Sequence, residues 1–199
     1  MKILLSAIVL CCAAALAHAA PDGEAADGID SLLVEKGLIM RLSGQLQQAR
    51  ENVSERASHL VVNAMGFLGV PYKYGGNSVE SGGFDCSGFV RAVYEKSVGK
   101  VLPRRASDQA AATEAIDRND LKPGDLVFFN TMRRAFSHVG IYVGEGKFIH
   151  APRSGSTVRV EDMRQQYWQT RFNGARRVLG GESPLSLPKP SLDSSSHQP

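Results

Sequence analysis

Cysteine is nearly absent from this chain: three of 199 residues, Cys11, Cys12 and Cys86. So few cannot build a disulfide framework. No apolar run reaches the ~20 residues that a helix needs to cross a bilayer. An excess of one charge sign is missing too, with 23 Lys and Arg against 20 Asp and Glu. That balance is too weak to argue for nucleic acid, which wants a concentrated basic face. The pairs Arg104-Arg105, Arg133-Arg134 and Arg176-Arg177 are scattered along the chain. Internal repeats are absent, which excludes solenoids and propellers. What remains is ordinary, 43% hydrophobic and 22% charged: a globular domain with flanking segments.

The first residues read as an export signal. Lys2 is the only charge before Asp22, and Ile3 to Ala17 is apolar except for Ser6. That run is too short for a membrane span. Ala17-His18-Ala19 puts small residues at both positions that a signal peptidase reads. Residues 1–19 are therefore expected to be a signal peptide, with no stable membrane insertion after its removal. A lipidated cysteine should follow a small residue, whereas Leu10 precedes Cys11 and Cys11 precedes Cys12. Removal of Lys2 with the signal leaves 22 basic and 20 acidic residues, or +2. It also leaves Cys86 as the sole thiol, which in an oxidising compartment is a hazard unless buried or used.

Residues 20–51 read as a linker and a weakly helical arm broken by Gly37 and Gly44. The main domain is expected over 52–180. Asn52 can cap a helix with Glu55 as its reciprocal partner, and Ala57, Leu60, Val61, Ala64, Met65 and Leu68 follow at helical spacing. A glycine-rich stretch leads to Cys86. From Ser87 a second helix follows (Phe89, Val90, Val93, Tyr94) and stops at Gly99, so Cys86 lies at a helix N-terminus. Ser107 can cap a short helix to about Ala115. Strands are expected at Leu126–Phe129, Val139–Val143, Lys147–His150, Val158–Val160 and Ala175–Leu179. Helices first and antiparallel strands after imply an α+β domain. Residues 181–199, with four prolines and six serines, are expected to be disordered.

A thiol attacks as thiolate, and a helix N-terminus lowers its pKa. Cys86 has that position and needs a base with an orienting partner. Of five histidines, His18 leaves with the signal, His197 is in the tail and His59 is off the apolar helix face. His138 and His150 remain, on two strands of one hairpin. A three-residue loop, Gly144 to Gly146, would set Val143 opposite Lys147 and His150 opposite Gly140. His138 would then be a diagonal neighbour of His150 on the same face, roughly 7–8 Å away at the backbone. A two-residue loop would turn His150 to the other face. The catalytic arrangement is Cys86 as nucleophile, His138 as general base and then acid, and His150 orienting His138. The rival use of these residues, with Asp85, is a metal site, but the close-spaced ligand pairs of zinc sites are absent. No cofactor or metal is expected, and no resolving cysteine supports thiol–disulfide chemistry.

In order along the chain stand Gly69-Val70-Pro71-Tyr72-Lys73-Tyr74-Gly75-Gly76, Phe84-Asp85-Cys86-Ser87-Gly88-Phe89-Val90, Leu102-Pro103-Arg104 and Leu121-Lys122-Pro123-Gly124-Asp125-Leu126-Val127-Phe128-Phe129. His138-Val139-Gly140-Ile141-Tyr142-Val143, Phe148-Ile149-His150 and Gly174-Ala175-Arg176-Arg177-Val178 follow. This set resembles the NlpC-type family of papain-like cysteine peptidases that act on bacterial cell walls. The resemblance implies a papain-like core, with N-terminal helices packed on an antiparallel sheet. It also implies cleavage of the γ-D-glutamyl–diaminopimelate amide in peptidoglycan stem peptides, and gives Cys86, His138 and His150 the roles derived above. It adds Tyr74 beside the oxyanion, and Asp85, Ser87 and Arg104 along the substrate groove.

One departure concerns the substrate. The family often has Ser or Thr directly after Leu-Pro-Arg, where this chain has Arg105. An extra arginine there would favour an additional carboxylate, so Arg105 joins the expected substrate-binding set. No wall-binding repeat is visible, which suits a thin wall facing a periplasm; the protein is expected to be a monomer, periplasmic or secreted. An acyltransferase or amidase would use the same thiol chemistry. A non-catalytic cell-wall-binding protein would leave Cys86 unreactive.

Overall fold

The computed structural model describes residues 37–131 and 133–179. The expected signal peptide, the linker up to residue 36 and the Pro/Ser-rich tail lie outside them. The chain divides between Gln47 and Gln48 into two compact units.

Helix α1 runs without interruption over Leu38–Met65. This corrects the expected break: Asn52 and Glu55 are exposed residues inside the helix and cap nothing. Gly44 is accommodated although a helical glycine costs about 1 kcal/mol relative to alanine. Within the second unit, Leu60 and Ala64 are fully buried, whereas Leu68 is exposed. Leu68 leaves the apolar stripe because α1 ends at Met65 and a turn at Gly66–Gly69 redirects the chain.

The glycine-rich stretch forms a small hairpin, β1 (Asn77–Ser78) and β2 (Gly83–Phe84). Helix α2 spans Cys86–Val98 and stops at Gly99, whose φ of 68° is left-handed. Helix α3 is Ala106–Ala111, shorter than expected, with the backbone of Arg105 at its N-cap and Ser107 inside its first turn. Glu114–Ile116 leaves the helical path to form edge strand β3. Its pairing with β8 decides that segment over local helix preference.

The sheet is completed by β4 (Leu126–Phe129), β5 (His138–Gly144), β6 (Lys147–His150), β7 (Arg159–Asp162) and β8 (Phe172–Arg177). A short helix α4, Gln166–Gln169, precedes β8. The strand order is β3-β8-β4-β5-β6-β7, and every pairing is antiparallel. All four residues of β4 are buried. Leu126 and Phe128 join the main core with Phe89, Val90 and Tyr94. Val127 and Phe129 join Phe148, Met163 and Trp168 on the other face. Alternate residues thus serve two cores, as the two-residue strand period requires.

The β5–β6 hairpin differs from expectation in an instructive way. Gly144 pairs with Lys147, so the loop is the two-residue Glu145-Gly146. Both have positive φ, 52° and 73°, as a type I′ turn demands. Alone, that loop would turn His150 away from His138. The register shifts between Tyr142 and Gly144, however, so Val143 is an extra, bulged residue. Beyond it Tyr142 faces Phe148 and Ile141 faces Ile149, the register that the histidine argument required. A bulge does what the longer loop was expected to do.

Candidate active site

Asp85 is the N-cap of α2, its carboxylate accepting the Gly88 N–H at 2.8 Å. Cys86 is therefore the first helical residue. A Cβ on Gly88 would lie 2.1 Å from the Gly76 carbonyl oxygen. Glycine at 88 is what lets the glycine-rich segment lie against the helix start.

The same carboxylate accepts the Gly75 N–H at 3.1 Å and two Arg104 bonds at 2.9 and 2.5 Å. Arg104 also donates to the Ser87 hydroxyl at 3.0 Å. The polar atoms of Asp85, Ser87 and Arg104 thus hold the start of α2. Arg105 is exposed at the start of α3. None of the four borders the cleft that holds Cys86.

That cleft, of about 1100 Å³, is bordered by Tyr72, Cys86, His138, Arg153, Glu161 and Trp168, among others. Tyr74 is not among its lining residues: its side chain is 87% exposed, because the backbone turns at Tyr74-Gly75. Tyr72, two residues earlier, is held against Phe84 by a parallel bridge and faces the cleft. Burial, and then the adjacent Cys86, raise the Tyr72 hydroxyl above its ordinary pKa.

His138 Nε2 lies 2.7 Å from His150 Nδ1. Both rings are almost fully buried. Trp168 stacks on His138 and meets His150 edge-on. Gly140 makes the approach possible, since a Cβ there would lie 2.6 Å from the Phe148 ring and 3.1 Å from His150 Cβ. Beyond His150 stands Glu161, which sequence reading missed. Its Oε1 is 3.6 Å from His150 Nε2, and its Oε2 accepts the Trp168 indole N–H at 2.5 Å. In Val158-Arg159-Val160-Glu161-Asp162 it resembles any polar residue on an edge strand, and only strand pairing brings it to the site.

Cys86 keeps some surface open to the cleft, yet its thiol is densely surrounded. Burial, and next the Asp85 carboxylate, push it up to about 11, against backbone N–H contacts from Val139, Ser87 and Cys86 itself. The lowering expected from a helix N-terminus is outweighed. Burial also holds His138 well below the usual histidine value, aided by His150. Both shifts favour a neutral thiol and a neutral imidazole as the resting pair. Such a site can pass a thiol proton to an imidazole as sulfur attacks a carbonyl carbon. Among the described residues no cluster of three His, Cys, Asp or Glu side chains could hold a metal ion.

Residues 69–177 match the NlpC/P60 family. The chain belongs to the NlpC/P60 family. It is 42% identical over 141 residues to the murein DD-endopeptidase MepH of Escherichia coli K12, covering 69% of this chain and 52% of that protein. It is 42% identical over 131 residues to the gamma-DL-glutamyl hydrolase of Bacillus subtilis 168, covering 65% and 30%. The chain thus spans about half or less of these relatives' lengths. An NlpC/P60 family protein of Bacillus cereus ATCC 10987 superposes with a TM-score of 0.56 at 38% identity, over 62% of this chain and 40% of that one. The NlpC/p60 domain of the peptidoglycan hydrolase SagA does so with a TM-score of 0.53 at 33% identity, over 61% of this chain and 98% of that domain. The α+β fold expected from the order of elements is the NlpC/P60 fold, and the family read from the motifs is the family found.

Proposed function

We propose that this protein is an exported cysteine endopeptidase of peptidoglycan stem peptides. One observation carries the reading: His138, held by the buried His150, shares an open cleft with the thiol at the start of α2. In the proposed reaction His138 takes the Cys86 proton while Sγ attacks the scissile carbonyl carbon. The Tyr72 hydroxyl, in place of Tyr74, and backbone N–H groups at the start of α2 stand over the oxyanion. His138 then returns its proton to the leaving amine, which departs and leaves a thioester. Water, deprotonated by His138, hydrolyses the thioester and restores the thiol.

The substrate class is supported by the names of MepH and the gamma-DL-glutamyl hydrolase. The proposed bond is the γ-D-glutamyl–diaminopimelate amide, in line with the latter. A D,D-endopeptidase is the second reading, favoured by MepH. The periplasmic destination rests on the sequence of residues 1–19, and the enzyme is proposed to act as a monomer.

Purified murein digested with the processed protein and resolved by mass spectrometry tests this reading. A fragment ending in γ-D-glutamate supports the first bond, and resolution of cross-linked dimers into intact monomers the second. No new fragment, or equal digestion by Cys86→Ala, would overturn both. Transfer of the acyl group to an added amine in preference to water would mark an acyltransferase instead.

A further inference from the structure

His138, His150 and Glu161 lie in one diagonal row across β5, β6 and β7. Gly140 is set beside His150, with His138 two residues along. His150 faces Arg159, and Glu161 is again two residues along. Each step places side chains on one face within reach of each other. The row ends on a carboxylate held from two other sides, by the Trp168 indole N–H and the Arg159 guanidinium.

Only one proton can sit between His138 Nε2 and His150 Nδ1, 2.7 Å apart. With both rings neutral, two arrangements are open. In the first, each ring carries its proton on Nε2: His138 donates to His150, and His138 Nδ1 keeps a lone pair. In the second, each ring carries its proton on Nδ1: His150 donates to His138, and no lone pair is left to take a proton from a thiol. The hydrogen bond alone does not choose between them, because it exists in both.

The choice falls to what faces His150 Nε2. That atom is buried and, among the described residues, has no partner at hydrogen-bond length. Its ion-pair neighbour is Glu161 Oε1 at 3.6 Å. An ionised carboxylate only accepts, so it favours an N–H directed at it and repels a lone pair. The distance exceeds a hydrogen bond, and Glu161 acts on the ring as a fixed charge; such contacts tighten when substrate closes a site.

We propose that Glu161 is a positioning residue that sets the tautomer of His150 and, through it, of His138, leaving His138 Nδ1 free as the base. Its consequence for turnover rests on the cysteine peptidase reading. The tautomers themselves do not, and they are measurable without substrate.

The experiment is nitrogen-15 NMR of the resting full chain labelled at histidine, with His138 and His150 assigned through His138→Gln and His150→Gln variants. The expected wild-type spectrum has Nε2 protonated and Nδ1 bare on both rings. Glu161→Gln, whose amide can accept or donate, should move a measurable fraction of both rings to the Nδ1–H form. Against stem peptides kcat should fall in proportion to the His138 population so moved, about twofold for half of it and about tenfold for nine-tenths, with KM little changed. His138 protonated on Nδ1 in the wild type would overturn the proposal, as would unchanged tautomers in a folded Glu161→Gln variant. If that variant does not fold, the wild-type spectrum decides by itself. Wild-type tautomers as expected in a protein that cleaves no murein would sink the peptidase reading and leave this one standing.

Discussion

His138 and His150 meet 2.7 Å apart because Val143 bulges out of β5. The two-residue turn at Glu145-Gly146 would otherwise put the rings on opposite faces of the sheet. Removing the second ring tests what the contact does. His150→Ala leaves a buried His138 nitrogen without a partner, which costs about 1–3 kcal/mol and should appear as a lower urea midpoint. Turnover should fall by roughly 10²–10⁴-fold. His150→Asn restores an acceptor and should recover part of that loss, measured as kcat on purified stem peptides.

The neutral resting pair predicts the pH dependence of Cys86 alkylation by iodoacetamide. Raised to about 11, the folded thiol is protonated at neutral pH and ionises only on the alkaline side. The rate should climb about tenfold per pH unit from pH 6 to pH 9 with no plateau, since only thiolate reacts. A flat, fast rate from pH 5 upward would show an ion pair already formed in the resting enzyme.

Asp85 faces two ways, capping α2 and raising the pKa of Cys86. Asp85→Asn keeps an acceptor for the Gly88 N–H but removes the negative charge beside the thiol. Loss of that charge favours thiolate, so the cysteine pKa should fall and alkylation at pH 7 should quicken. Stability should drop by roughly 2 kcal/mol for the lost charged hydrogen bonds, reduced to the extent that Arg104 is already solvated. Thermal melting and the alkylation rate separate the two effects.

Gly140→Ala should be damaging without touching a reactive group. The new methyl would meet the Phe148 ring at 2.6 Å and the Ile149 carbonyl oxygen at 2.9 Å. Overpacking of this kind costs about 1–3 kcal/mol. Because His150 is pressed as well, kcat should fall by more than the lost folded fraction accounts for.

The two tyrosines give a paired test. Tyr72→Phe removes the hydroxyl of a cleft-lining residue and should lower kcat by roughly 100- to 1000-fold, the range for one oxyanion donor. Tyr74→Phe alters an exposed ring and should leave kcat within about twofold. A reversed result would return the oxyanion role to Tyr74.

Motif spacing, the lone Cys86 and apolar periodicity were enough to read the family, the helix that begins at the nucleophile, β4 and β6 residue for residue, and the histidine pair. Those signals are local: a cap, a stop glycine or a two-residue alternation leaves its mark within one segment. The uninterrupted α1 was misread because Gly44 and a plausible cap at Asn52 imitate a boundary that the surrounding helical ladder overrides. Tyr72 and Tyr74 are chemically alike, and the turn that separates them depends on a bridge to Phe84.

By itself, then, the sequence determined which residue types stand at the site and on which elements. Tertiary structure alone decided the rest. It turned Asp85, Ser87 and Arg104 into a clamp on the helix start and raised the Cys86 pKa through burial that outweighs the helix N-terminus. It also brought Glu161 behind His150 across a third strand. Each outcome depends on distances between segments far apart in the chain and on solvent excluded by their packing, neither of which has a local sequence signature.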